Sequence, residues 1–236
     1  MSTELVARAA ANNAAWCQSM CAAHGLPGEL GEHAWTSPRR TPRFYPDAVT
    51  LDDRATVEDM LSRVDNSAGC SIKDSFHLLD LTSHGFFELF YAQWIHRPGD
   101  AAAPSAAADE RWRVIDDPEA LSEWERLWAD DDKYPSDPLF VPELLNDPTV
   151  SVVGGYSGDE LIGGAVLNLG GGGVGISNVF TLRSDSAASW AGALSVAGQR
   201  HPGQAVFGYE PVEYLDMVAE FGFSPIGMLR IWWRRK

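Results

Sequence analysis

Apolar positions along the chain alternate between helical and strand-like spacing. Residues 2–24 carry Ala, Leu and Trp as an amphipathic helix would, and Gly25-Leu26-Pro27-Gly28 breaks the pattern. The stretch that follows, through WTSPRRTPRFYP to Tyr45, is rich in Pro and Arg and reads as an extended loop. From Ala48 the pattern becomes a strand, AVTL, and then a helix, TVEDMLSRVD, with Thr56 as its cap and acidic residues in its first turn. GFFELFYAQWIHRP carries Phe86, Leu89, Tyr91 and Trp94 among few charges, which predicts a strand buried over most of its length.

DAAAPSAAADE, residues 100–110, has little to bury and reads as a linker. The chain therefore divides into a part spanning 1–100, a linker at 101–110 and a second part spanning 111–236. The second part opens with a strand, RWRVI, and a helix, DDPEALSEWERLWADDD, whose Leu121, Trp124 and Trp128 form a core stripe. Two turn signals, YSGDE and GGGG, then separate three strand patterns, as expected of an antiparallel meander. Gly170 to Gly173 precede a strand, whereas a phosphate-binding P-loop needs Lys-Ser/Thr and a helix there, so a hairpin turn is expected. SWAGALSVAGQR, AVFGYE, VEYLDMVAEF and SPIGMLRIWWR follow as helix, strand, helix and strand.

At 236 residues and 45% hydrophobic content the chain can bury a substantial core. A formal net charge of −15 argues against a duplex nucleic acid partner and fits a cationic small substrate better. Three cysteines make no disulfide framework, which agrees with a reducing compartment. Apolar runs fall short of the roughly 18–20 residues of a membrane span, and MSTELVARAAANNAAW lacks the start of a signal peptide. No membrane association and a cytoplasmic location are the expectations. Cys17, Cys21 and His24 lack a second ligand pair, so buried thiols are expected there and no metal. Arg39, Arg40 and Arg43 are read as partners of acids or solvent rather than an anion site. The acids between Asp109 and Asp147, including Asp130, Asp131 and Asp132, are read as a solvated helix end and loop.

The order of elements over residues 111–236 resembles the GNAT family of N-acetyltransferases. The features that carry it are the strand–helix opening, the meander, the small-residue loop FTLRSDSAASW entering a helix, and the closing helix with EFGFSPIGMLRIW. The resemblance implies an α/β (α+β) fold, a mostly antiparallel mixed sheet flanked by helices. It implies acyl transfer from acetyl-CoA, or another acyl-CoA, to a small primary amine. The backbone of Val179, Phe180, Thr181 and Leu182 would bond the pantetheine arm. Arg183, Ser184, Ser186, Ala187 and Ala188 would hold the pyrophosphate at a helix N-terminus. The family loop, Arg/Gln-x-x-Gly-x-Gly/Ala, matches at Arg183 and Ala188, while Ser186 replaces a glycine and Asp185 brings a carboxylate.

The family's tyrosine, commonly four residues before the Gly-Phe pair, falls on Val218. Glu210 is then the candidate base or amine anchor, with Tyr209 the candidate acid ahead of Tyr214, and Asn178 placed to orient a substrate. The same departures support a second reading, a non-catalytic protein of this fold that binds a small molecule or a protein. DLTSHGFFELFYAQWI shares its Gly-Phe, strand and Trp rhythm with AEFGFSPIGMLRIWW, which reads either as a truncated GNAT-like partial copy or as two unrelated strands. The acceptor, the acyl chain and the oligomeric state, a homodimer included, stay open.

Overall fold

The computed structural model describes residues 3–102, 104–129, 137–184 and 186–235, with the backbone alone at Ser186. Asp130 to Asp132, Asp185 and Lys236 lie outside the described residues. The first part of the chain supplies β1 (Glu29–Leu30), β2 (Ala34–Thr36), β3 (Ala48–Thr50), β4 (Ser71–Asp74) and β5 (Phe86–Arg97). The second supplies β6 (Glu110–Val114), β7 (Val150–Ser157), β8 (Glu160–Gly170), β9 (Gly173–Thr181), β10 (Val206–Glu210) and β11 (Ser224–Arg234). They form one eleven-stranded sheet in the order β1-β2-β3-β4-β11-β5-β10-β9-β8-β7-β6. Every neighbouring pair is antiparallel except β3–β4 and β9–β10.

The two parts meet through exchanged strands. β5 lies between β10, where Trp94 pairs with Tyr209, and β11, where Ala92 pairs with Leu229. β11 in turn lies between β5 and β4. In each part a parallel strand pair is joined by a helix, α2 (Val57–Leu61) or α4 (Ser186–Arg200), before the exchanged strand.

The helix α1 (Thr3–Ala23) and α3 (Pro118–Trp128) cover one face of the sheet. Trp16, Met20, Leu121 and Trp124 pack there with Val152 and Val166. α4 and α5 (Leu215–Ala219) cover the other face, where Trp190, Leu194 and Val218 meet Val153, Ala165 and Leu167. Adjacent strand residues thus serve opposite cores, as the two-residue period of a strand requires. Asp117 caps α3, its carboxylate accepting from the Ala120 amide at 2.8 Å ahead of Pro118. Trp112 is clasped by two glycines: a Cβ on Gly155 or Gly192 would lie 2.4 or 2.0 Å from its indole, so α4 closes on the sheet only with glycine there.

Gly171 and Gly172 have φ of +56° and +71° and form the β8–β9 hairpin turn. α1 is pinned to that turn. Arg8 Nε and Nη2 donate to the Gly171 and Gly172 carbonyls at 3.0 and 2.7 Å, and Asn12 Nδ2 donates to Gly170 O at 3.0 Å.

Three sequence expectations are corrected. β5 is not buried over most of its length, because Leu89, Phe90 and Tyr91 are 50, 41 and 44% exposed. α1 packs against β5 at Ala92 and Trp94, and α2 is too short to cover the rest. α2 keeps its Thr56 cap, in a capping box with Asp59, but ends at Leu61 instead of continuing to Asp65. The expected helix VEYLDMVAEF is a 3₁₀ turn (Val212–Tyr214) followed by the short α5, and Gly222 at φ +83° ends the connection.

Candidate functional site

β9 and β10 pair only at Val174↔Val206 and Gly175↔Phe207, and then diverge. The cause lies on the far edge of β9. Val166 of β8 opposes Ser177 and Gly164 opposes Phe180, so Ala165 alone faces both Asn178 and Val179. This is a β-bulge, and Asn178 adopts φ +53° within it. Asparagine is among the few residues at ease in that conformation. The bulge turns β9 away from β10, so among the described residues the edge of β9 from Ser177 to Phe180 has no ladder partner on the β10 side.

Spaces open on both sides of this divergence. A cavity of about 280 Å³ is lined by Asn13, Lys73, Asn178, Val179, Tyr209 and Glu210, with aromatic walls from Trp16, Tyr45 and Trp128. A cleft of about 290 Å³ lies along Val179, Phe180 and Thr181 and is bounded by Trp190, Glu210 and Tyr214. Val179 and Glu210 line both. A larger chamber of about 650 Å³ adjoins the cavity at Lys73 and Tyr209.

Glu210 ends β10 on the α4/α5 side, two residues beyond Gly208 and four beyond Val206, a core residue of that face. Among the described residues its carboxylate has no hydrogen-bond or ion-pair partner, and burial raises its pKa to about 7. A carboxyl group so poised gains and loses a proton near neutrality, as a general base must. Tyr209 points to the opposite face, its ring 5.6 Å from Trp94 in an edge-on contact and 4.1 Å from Lys73 Nζ. Tyr214 is half exposed at the mouth of the cleft, and Val218, one helical turn later, is buried in the core.

Asn178 is at the cavity wall, and its Oδ1 accepts from Ser177 Oγ at 3.0 Å. Val179, Phe180 and Thr181 border the cleft, whereas Leu182 is exposed on the loop that follows. Arg183 pairs with Glu110 at 3.2 Å, and the other Glu110 oxygen accepts from Trp112 Nε1 at 3.0 Å. Ser184 is exposed, and Ser186, Ala187 and Ala188 form the first turn of α4. The structure thus gathers Asn178, Val179, Tyr209 and Glu210 around one opening, while Leu182, Arg183 and Ser184 lie on the loop beyond it.

Lys73 was not among the residues singled out in the sequence, because one lysine in the short segment SIKD has no local pattern to mark it. Trp128 belongs to the core stripe of the sequence, and the structure places it half-buried on the cavity wall as well. Of the arginines before β3, Arg40 pairs with Asp47 at 2.6 Å, and Arg43 lies over the Phe44 ring. Cys17 and Cys21 are buried free thiols, raised by burial to about 12 and about 11, and His24 Nε2 meets Leu139 O at 2.8 Å. Among the described residues no group of three His, Cys, Asp or Glu could hold a metal ion, and no helix is long and apolar enough to cross a membrane.

No protein-family model matches the chain, and no curated protein matches it in sequence. Solved structures do match in three dimensions. A GCN5-related N-acetyltransferase from Kribbella flavida aligns with a TM-score of 0.61 at 15% identity, over 95% of this chain and 96% of its own. A conserved protein of unknown function from Staphylococcus epidermidis aligns at 0.55 and 11% identity, over 72% of this chain and 73% of its own. A protein assigned to the GNAT family from Novosphingobium aromaticivorans aligns at 0.53 and 9% identity, over 93% of this chain and 97% of its own.

Proposed function

We propose that this protein, which has the GNAT fold, transfers an acyl group from an acyl-CoA to a primary amine, with acetyl-CoA as the first donor to test. The observation that carries this reading is Glu210, which lines both the cleft beside β9 and the cavity behind it. One carboxyl group therefore faces the place for a donor and the place for an acceptor.

The residues fit a CoA thioester best along the strand. The edge of β9 at Val179 and Phe180, which has no ladder partner on the β10 side among the described residues, offers backbone groups to an extended amide-bearing arm. α4 directs its N-terminal amides toward the loop that follows β9, and Ser184, Ser186, Ala187 and Ala188 would meet a pyrophosphate there. Arg183 joins them by exchanging its bond to Glu110 for a phosphate oxygen.

Acyl-CoA supplies a thioester carbonyl open to nucleophilic attack. In the transfer a C–N bond forms as the C–S bond breaks. Glu210 takes the proton lost by the attacking amine. Tyr214, at the mouth of the cleft, gives a proton to the departing sulfur and stands one helical turn before Val218, which carries no donor. Tyr209 faces the acceptor cavity and shapes it.

The second reading, ligand binding without catalysis, draws support from the buried Val218 and from the engagement of Arg183 by Glu110. Calorimetric titration with acetyl-CoA and desulfo-CoA, followed by an amine panel, separates the two. Micromolar binding with turnover that Glu210→Gln lowers about 10²-fold or more supports the enzyme. Binding without turnover on any amine supports the second reading, and no binding up to millimolar cofactor sinks both as CoA proteins.

A further inference from the structure

We propose that the acceptor is an amino carboxylate and that Lys73 holds its carboxylate while its nitrogen faces Glu210. This rests on the acyl-transfer reading above and names the substrate class for the same site.

Lys73 is 3% exposed, yet no carboxylate lies within ion-pair distance of it among the described residues. Its ammonium makes one hydrogen bond there, to Asn13 Oδ1 at 2.8 Å. Otherwise it lies over the rings of Trp94 and Tyr209, at 5.7 and 4.1 Å from their centroids. An ammonium carries three donors, so the group is under-used as well as buried. A buried cation without an anion is costly, and a bound carboxylate would offset that cost with charge-assisted hydrogen bonds.

Lys73 and Glu210 line the same cavity of about 280 Å³. A site with a cation and a proton acceptor on its walls matches a molecule that bears a carboxylate and an amine. One ammonium suits a monoanion better than a phosphate dianion, the more so with Glu210 in the same space. The nearby Arg40 is committed to Asp47 and adds no free charge. The formal charge of −15 further disfavours a purely anionic ligand and tolerates a zwitterion. Beyond Lys73, the larger chamber offers Phe90, Ile231 and Trp233 as apolar walls for a side chain.

The probes are L-phenylalanine, its methyl ester and phenethylamine, titrated into the wild-type chain saturated with desulfo-CoA and then assayed for transfer from acetyl-CoA. The ester amine is less basic and phenethylamine more basic than a typical acceptor, so amine basicity alone cannot favour the amino acid over both. We expect the amino acid to bind about tenfold or more tightly than either analogue that lacks the carboxylate, the value of a charge-assisted hydrogen bond. Lys73→Met should bring that ratio to about one. Should the variant fail to fold, the wild-type comparison decides by itself. Equal affinity for the three probes, or no binding of the amino acid, overturns the proposal whatever becomes of catalysis. Transfer to amines without preference for the carboxylate overturns it too and leaves the acyl-transfer reading in place.

Discussion

Two parallel strand pairs interrupt an otherwise antiparallel sheet, and side chains have treated them in opposite ways. At β9–β10 the bulge at Asn178 forces the strands apart, and the space is left to Glu210 and an unpaired strand edge. At β3–β4 the strands are short and their ends are filled. Thr50 Oγ1 accepts from the Ser75 amide at 2.8 Å. The buried carboxylate of Asp74 accepts from the Leu78 and Leu79 amides at 3.2 and 2.9 Å and from Arg230 at 3.2 Å. The closed pair engages its Asp74 carboxylate on both oxygens, while among the described residues the open one keeps the Glu210 carboxylate without a partner. Lys73 belongs by sequence to the closed pair, yet it lines the cavity of the open one.

The largest test of this contrast is Glu210→Gln. We expect kcat/KM to fall about 10²-fold or more, within the range of a lost general base, while acetyl-CoA binding persists. Wild-type kcat/KM should climb with pH and level off above about 7. Stability should move the other way. The folded pKa lies above the usual 4.5, so the native state keeps a proton that the unfolded chain has lost between about 4.5 and about 7. The wild type therefore loses stability relative to the variant across that window, and thermal melts of the two should converge near pH 4 and separate by a few degrees at pH 8. Melts that stay parallel would remove the desolvated carboxylate.

Asp74→Ala should produce the complementary result. Breaking a buried, hydrogen-bonded pair costs about 3 kcal/mol, measurable by urea unfolding, and cofactor affinity of the folded fraction should change less than about twofold. A selective loss of cofactor affinity would show that the closed pair also serves ligands. Asn178→Val, which puts a β-branched residue at φ +53°, should cost about 1–2 kcal/mol and weaken acetyl-CoA binding, whereas Asn178→Gly should keep both. If the valine variant binds normally, the bulge does not make the opening. Arg183→Gln should have the smallest effect, raising the acetyl-CoA Kd about threefold, because the partly exposed guanidinium is already tied to Glu110.

Much of the second part of the chain was legible because its elements are long and locally marked. The meander, the glycine hairpin and the core stripe of α3 all follow from turn residues and period. Glu210 and Tyr209 could be picked out because they lie at the end of a strand, and Asn178 because it lies in the strand at the centre of the resemblance. The bulge was not legible, since it depends on the register of β8 against β9 and nothing in ISNVF marks it. Lys73 was equally hidden, because its place in the cavity depends on strand exchange between segments remote in sequence. The exposure of Leu89 to Tyr91 was misread because an apolar run reports what a strand can bury, not whether a helix long enough to bury it is present.

The exchange of β5 and β11 bears on how the molecule is made. Asp74 and Arg230 meet across 156 positions, and β4 has no neighbour on that side until residues 224–234 have left the ribosome. Lys73 lies on the same strand, so the cavity it lines is completed late and through contacts of high sequence separation, which form slowly. Until then the emerging chain carries an unpaired strand edge, the kind of surface that chaperones shield.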